Sequence, residues 1–158
     1  MDGLFVLPLR QGPLWNFSYL VACEATREAA VIDPAWDTAA ILAAAAGQGL
    51  NIRWVLLTHS HSDHANGVAA VVEATGATVF VHESEANGLR DHFSGTVEVA
   101  VPGRTLPLGE VGVRALYTPG HSAGSLSFLA GGRLFAGDTL HVGGMGRPGP
   151  DRDAVEAA

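Results

Sequence analysis

Four side chains able to bind a metal ion fall within six residues of this chain: His59, His61, Asp63 and His64, in Thr58-His59-Ser60-His61-Ser62-Asp63-His64. They follow the apolar run Trp54-Val55-Leu56-Leu57, which reads as a buried strand. The cluster therefore sits where a strand ends and the backbone turns. His59 and His61 are two apart, so a locally extended chain points both to one side. After them, Ala65 to Glu73 reads as helical, with the helix placed over Asn66 to Glu73 and the four ligands on the loop before it. A strand, a loop carrying ligands and a helix can crowd several donors around one ion. Imidazole nitrogen and carboxylate oxygen are donors that borderline divalent ions such as Zn²⁺ and Fe²⁺ accept.

The rest of the chain must supply a core for this loop. Its 158 residues, 47% of them hydrophobic, suffice for one domain, read here as spanning residues 1–158. The net charge of −7, with nine scattered basic residues, disfavours a nucleic-acid or anionic-membrane partner. Cys23 is the only cysteine, which excludes an internal disulfide; it is expected as a small buried strand residue. No basic segment followed by an apolar stretch opens the chain, and no apolar run reaches the length of a membrane span. A cytoplasmic protein is expected, and a homo-oligomer is compatible with this composition.

Early strands are expected at Leu4–Leu9, Asn16–Val21 and Glu28–Asp33, joined by short turns into an antiparallel meander. Asp37 is placed to cap a helix over Thr38–Ala46. Further strands are expected at Arg53–Leu57 and Thr78–Val81, then a short helical piece over Glu83–Asn87. From Val97 the pattern is β again: Val97–Val101, Thr105–Leu108, Val111–Tyr117, Leu126–Leu129 and Arg133–Ala136. A glycine-rich loop, His141 to Pro150, and a helix start at Asp151 close the sequence. His82, His92 and His141 are each expected to be structural or solvated.

Three groups share one placement. His59 to His64, His121 in Thr118-Pro119-Gly120-His121, and Asp138 in Gly137-Asp138-Thr139 each begin where an apolar strand stops. Pro119-Gly120 permits a sharp turn before His121. Singly, His121 and Asp138 are ordinary turn residues. Together with the first cluster they could converge at one edge of a sheet.

These stretches, THSHSDH, TPGHSAGS and FAGDTL, resemble the metallo-β-lactamase superfamily, and most of all its glyoxalase II and persulfide dioxygenase branches. The likeness runs from Asn16 to the loop Gly143-Gly144-Met145-Gly146-Arg147. It implies an αββα sandwich of two mixed sheets flanked by helices, with a metal site at one edge. It also implies that His59, His61 and His121 hold one ion, that Asp63 and His64 hold a second, and that Asp138 bridges them. Family domains continue through another helix and strand and give the second ion a later histidine. No histidine follows His141 here, so one tight site with a second, weak one is expected, and the terminal strand and helix of the domain are expected to be missing.

The glyoxalase II branch implies hydrolysis of a thioester of a small thiol, with Asp63 orienting the nucleophile and Arg147 near a glutathione-like substrate. The aromatic residue that follows the basic one in both branches is replaced here by Pro148-Gly149-Pro150. The dioxygenase branch implies a single Fe²⁺ on His59, His121 and Asp138, with His61, Asp63 and His64 supporting those ligands. A third expectation is a metal-binding fragment without catalysis.

Overall fold

The computed structural model describes residues 3–90 and 93–149; His92 and the expected helix start at Asp151 lie outside them. Strands β1 (Leu4–Gln11), β2 (Asn16–Cys23) and β3 (Glu28–Ile32) form the antiparallel meander. Helix α1 (Thr38–Gly47) begins at Asp37, whose carboxylate accepts the Ala40 N–H at 2.9 Å. It crosses to β4 (Asn51–Leu56), which pairs parallel with β3. The chain then passes through α2 (Ser62–Ala65) and α3 (Val68–Thr75) to β5 (Thr78–Val81), and through α4 (Glu83–Arg90) to β6 (Val97–Val99). Parallel neighbours require such crossovers, and the result is a six-stranded sheet in the order β1-β2-β3-β4-β5-β6.

A second sheet, β10 (Arg133–Phe135), β9 (Leu126–Ala130), β8 (Val111–Tyr117) and β7 (Thr105–Leu108), packs against the first. Two mixed sheets were expected, but among the described residues only the first is mixed. The second is antiparallel throughout, because each strand returns directly on its neighbour with no crossover helix.

Two layers of core explain why the strand sequences read as continuous apolar runs. Leu20, Ala22, Val31, Val55 and Val79 face Ile41, Ala45, Val68, Val71, Ala86 and Leu89 of the helices. Val21, Cys23, Ala30, Ile32 and Leu56 face the other way, onto Val113, Ala115, Leu126 and Phe128 of the second sheet. Strands covered on both faces need no polar alternation. The order is helix, sheet, sheet; among the described residues no helix covers the outer face of the second sheet, where Leu134 is half exposed. No helix among them is long and apolar enough to cross a membrane.

Local differences from the sequence expectations cluster near the candidate ligands. Asp63 and His64 lie on the short helix α2, not on a loop, and the following helix starts at Val68, after a turn at Asn66-Gly67. Glu83–Arg90 extends past the expected Asn87, with Leu89 buried in the core. Inside the glycine-rich loop a small hairpin forms, β11 (Leu140–His141) and β12 (Gly144–Met145).

Candidate metal centre

Topology brings the candidate ligand groups together. Strands β3, β4 and β5 are parallel, so Asp33, His59 and His82 all follow strands at one edge of the first sheet. In the second sheet, β8 and β10 both run antiparallel to β9, so His121 and Asp138 leave it at a common edge. The two edges are joined by the backbone: the Leu126 N–H donates to the Thr58 carbonyl at 2.8 Å. A glycine makes the close approach of the Asp138 turn feasible. Gly137 has φ +50°, and a Cβ there would overlap the Thr58 side chain.

Around this seam the rings of His59, His61 and His121 stand 4.6–4.8 Å apart, centroid to centroid. Their donor atoms all lie within 4.8 Å of one another, as do those of His59, His64 and Asp138. His61 Nδ1 and His121 Nε2 are 3.0 Å apart. Asp138 reaches both groups, with Oδ1 3.1 Å from His64 Nε2 and Oδ2 3.4 Å from His121 Nε2. Asp63 stands beside them; its Oδ2 is 3.6 Å from His64 Nε2 and accepts from Asn16 Nδ2 at 2.9 Å.

The fit of this set to a cation rests on His59. It is 1% exposed, and its Nε2 is the single buried side-chain nitrogen or oxygen without a hydrogen-bond partner among the described residues. An unpaired buried polar atom is costly. The proton on the ring can be placed by following its neighbours. The Thr58 hydroxyl donates to Asp33 Oδ2 at 2.6 Å, so it can only accept from His59 Nδ1, 3.0 Å away. His59 therefore carries its proton on Nδ1 and presents a lone pair at Nε2. Burial, reinforced by the neighbouring imidazoles, lowers its pKa to about 4 against the opposing pull of Asp33, which keeps the ring neutral near pH 7. A neutral nitrogen with no partner, facing two more imidazoles, suits a borderline divalent ion.

His121 and His64 follow the same rule, in which the nitrogen turned away from the cluster is bonded to an acceptor. His121 Nδ1 donates to the Arg147 carbonyl at 2.9 Å, and His64 Nδ1 donates to Asp33 Oδ2 at 3.0 Å. In the metal-free protein burial pushes the His64 pKa down, but hydrogen bonds to Asp138 and Asp33 outweigh it and raise the value to about 10. The same contact with His64 holds Asp138 down at about 2.

Arg147 therefore enters through its main chain, and its side chain is exposed. His82 stacks on Tyr117 at 4.9 Å and bonds Ser84, outside both donor groups. His141 is exposed but lines a cavity of about 530 Å³ beside His64 and Asp138, walled by Trp15, Phe17 and Val142.

Asp33, Asn16 and Glu85 were not singled out from the sequence. Asp33, 3% exposed at φ +49°, also accepts the Thr58 N–H at 2.8 Å. It had a readable signal: like His59, it follows an apolar strand and precedes a turn. Asn16 and Glu85 act from a strand start and a helix, where nothing local marks them.

A family model for the metallo-beta-lactamase superfamily matches residues 12–157. A hydroxyacylglutathione hydrolase of Anaeromyxobacter dehalogenans (strain 2CP-C) is 42% identical over 133 residues, which cover 83% of this chain and 48% of that protein. The crystal structure of a metallo-beta-lactamase from Staphylococcus aureus subsp. aureus COL superposes with a TM-score of 0.82 at 29% identity, covering 94% of this chain and 47% of the other. TTHA1623, solved in a di-iron-bound form, gives 0.77 at 31%, covering 96% and 82%. The chain spans about half the length of the first curated relatives it matches. On the histidine and aspartate side chains converging at its strand ends, the layered sheets and a family match over nearly its full length, this chain belongs to the metallo-beta-lactamase superfamily.

Proposed function

We propose that this chain is a metal-dependent hydrolase of the glyoxalase II type, which cleaves a thioester of a small thiol. The observation that carries the reading is the unpartnered, neutral Nε2 of His59 facing His61 and His121. In this reading those three histidines hold a Zn or Fe ion, Asp63 and His64 offer donors for a weaker second ion, and Asp138 stands between. A bound divalent ion supplies a Lewis acid and brings the pKa of a bound water from 15.7 to about 7, which makes a nucleophile available at neutral pH.

The remaining work falls to the chain's own residues. Asp33 and Thr58 keep the His59 proton on Nδ1. Asn16 fixes the Asp63 carboxylate, which would orient the attacking water. The cavity of about 530 Å³ beside His64 and Asp138 has room for the substrate. A thioester suits a cluster without an evident general acid, because a thiol of pKa about 8.5 leaves as its thiolate unaided. Arg147 would meet an anionic group of the thiol carrier. The hydroxyacylglutathione hydrolase relatives support a glutathione thioester as the first substrate to try. The same reading takes residues 1–158 as one cytoplasmic domain with a small-molecule substrate and no nucleic-acid or membrane partner.

One contact favours a second reading, a mononuclear iron persulfide dioxygenase. His59 and His121 both approach Asp138, whose Oδ2 is 3.4 Å from His121 Nε2, in a two-histidine, one-carboxylate set. Purified protein assayed for metal content, thioester hydrolysis, and O₂ uptake with glutathione persulfide separates the two. Hydrolysis lost on chelation, and lost in His121→Ala and Asp138→Ala, is the expected result. Hydrolysis that survives chelation would refute the metal mechanism, and O₂ uptake with iron bound would favour the second reading.

A further inference from the structure

Glu85 sits in the first turn of α4, where an acidic side chain is common because it complements the helix dipole. Its hydrogen bonds go well beyond that role. One carboxylate oxygen, Oε2, accepts from the Ser60 hydroxyl and from the Ser60 N–H at 3.3 Å. The other, Oε1, accepts from the Ser122 hydroxyl at 2.8 Å and the Gly124 N–H at 3.2 Å. Ser60 lies between His59 and His61, and Ser122 directly follows His121. One carboxylate thus joins both loops that carry the histidine trio.

The anchor behind it is firm. The next residue, Ala86, and Leu89 are buried in the helix-side core, so α4 is held against the first sheet. Gly124 admits the contact, since a Cβ there would overlap Glu85. Burial opposes a charged Glu85, but the donors of Ser60, Ser122 and Gly124 outweigh it and keep the carboxyl below its ordinary range. A deprotonated carboxylate accepts at both oxygens and donates at neither. That matches four donors arriving from two loops.

We infer that Glu85 is a positioning residue for the metal centre: it clamps the His59–His61 loop to the His121 loop at the spacing the ion requires. This rests on the reading of those histidines as metal ligands. Ligands preset by supporting hydrogen bonds bind metal more tightly, and loss of one such support typically costs about 10–100-fold in affinity.

The test uses the whole chain, stripped of metal and titrated with Zn²⁺ against a chromophoric chelator, with the visible spectrum of the Co²⁺ form reporting ligand geometry. Glu85→Ala is expected to weaken Zn²⁺ binding by about 10–100-fold and to shift the Co²⁺ bands. Glu85→Gln should fall between it and wild type: its one carbonyl oxygen can serve one loop, while its NH₂ meets the donors of the other. The Ser60→Ala, Ser122→Ala pair leaves the helix untouched and should reproduce part of the loss. Adding Glu85→Ala to that pair should cost less than in the wild type, because residues in one network are not additive. A folded Glu85→Ala with wild-type affinity and an unshifted Co²⁺ spectrum would overturn the clamp, as would a full Glu85→Ala loss in the double-serine background. Wild-type protein that takes up no Zn²⁺ would instead overturn the metal reading beneath it.

Discussion

Asp33→Asn tests how the candidate ligand geometry is set, because it exchanges one carboxylate oxygen for an amide NH₂, removing the charge at nearly unchanged shape. The native carboxylate is buried and accepts three bonds: Thr58 N–H on Oδ1, and the Thr58 hydroxyl and His64 Nδ1 on Oδ2. Asn occupies φ +49° as readily as Asp, so the backbone is undisturbed. With the amide oxygen retained at Oδ1, an NH₂ replaces Oδ2 and cannot accept. The His64 bond to a charged acceptor is lost, at about 1.5–3 kcal/mol. The amide donates to the Thr58 hydroxyl, and that hydroxyl must then turn its own proton toward His59 Nδ1. His59 is driven to carry its proton on Nε2, the atom facing His61 and His121. We expect the metal-free protein to lose about 2 kcal/mol in denaturant unfolding and Zn²⁺ affinity to fall about 10–100-fold. Ring-nitrogen NMR of His59 reads the tautomer directly. A variant that keeps the proton on Nδ1 and binds Zn²⁺ as tightly as wild type would refute the relay.

Two further outcomes follow from the same geometry. His59 titrates near 4 in the native state and near 6.5 when unfolded, so between those values the unfolded chain binds a proton that the native chain does not. Metal-free protein should therefore lose about 3 kcal/mol as pH falls from 6.5 to 4; unfolding curves at pH 7, 5.5 and 4 measure it, and His59→Gln should flatten the slope. The contribution of His64, raised to about 10, is complete below 6.5 and is lost progressively as pH climbs from 6.5 to 10, so the two windows do not overlap. Asp63→Ala separates the proposed reactions. In the hydrolase it removes a donor, so metal content and thioesterase activity fall together, whereas in the dioxygenase iron stays and activity drops about 10–100-fold.

Much of this candidate centre was legible because histidine-rich spacing and strand termination leave marks in sequence. Apolar runs ending in His59, His121 and Asp138 show three strand ends, and the structure brings all three to one seam. What stayed hidden depends on partners remote in sequence. Asn16 reaches Asp63 across 47 positions, and Glu85 reaches Ser122 across 37. Neither interval has a periodicity to read. The second sheet was expected as mixed because the resemblance implied it; its short connections, Gly109-Glu110 and Gly131-Gly132, are those of antiparallel neighbours. Helix α2 differs from the loop expected there because four residues, Ser62 to Ala65, carry too little periodicity to register as a helical turn.

The number of ions this set can hold follows from His59. Its Nδ1 is committed to Thr58, so it has one free lone pair, at Nε2. Yet both groups of converging donors, His59–His61–His121 and His59–His64–Asp138, include it. One lone pair serves one ion. Once the three-histidine group is filled, His64, Asp138 and the adjacent Asp63 are left for any second cation, which must also bear repulsion from the first. Water can fill the open positions but brings neither charge nor preset geometry. We therefore expect calorimetric titration of the metal-free chain with Zn²⁺, and anaerobically with Fe²⁺, to show one tight ion and a second that is weak and easily removed. Two equally tight ions would refute the sharing argument and demand another donor. His82 is taken up by Tyr117 and Ser84, so the search would begin at His141, which lines the same cavity as His64 and Asp138.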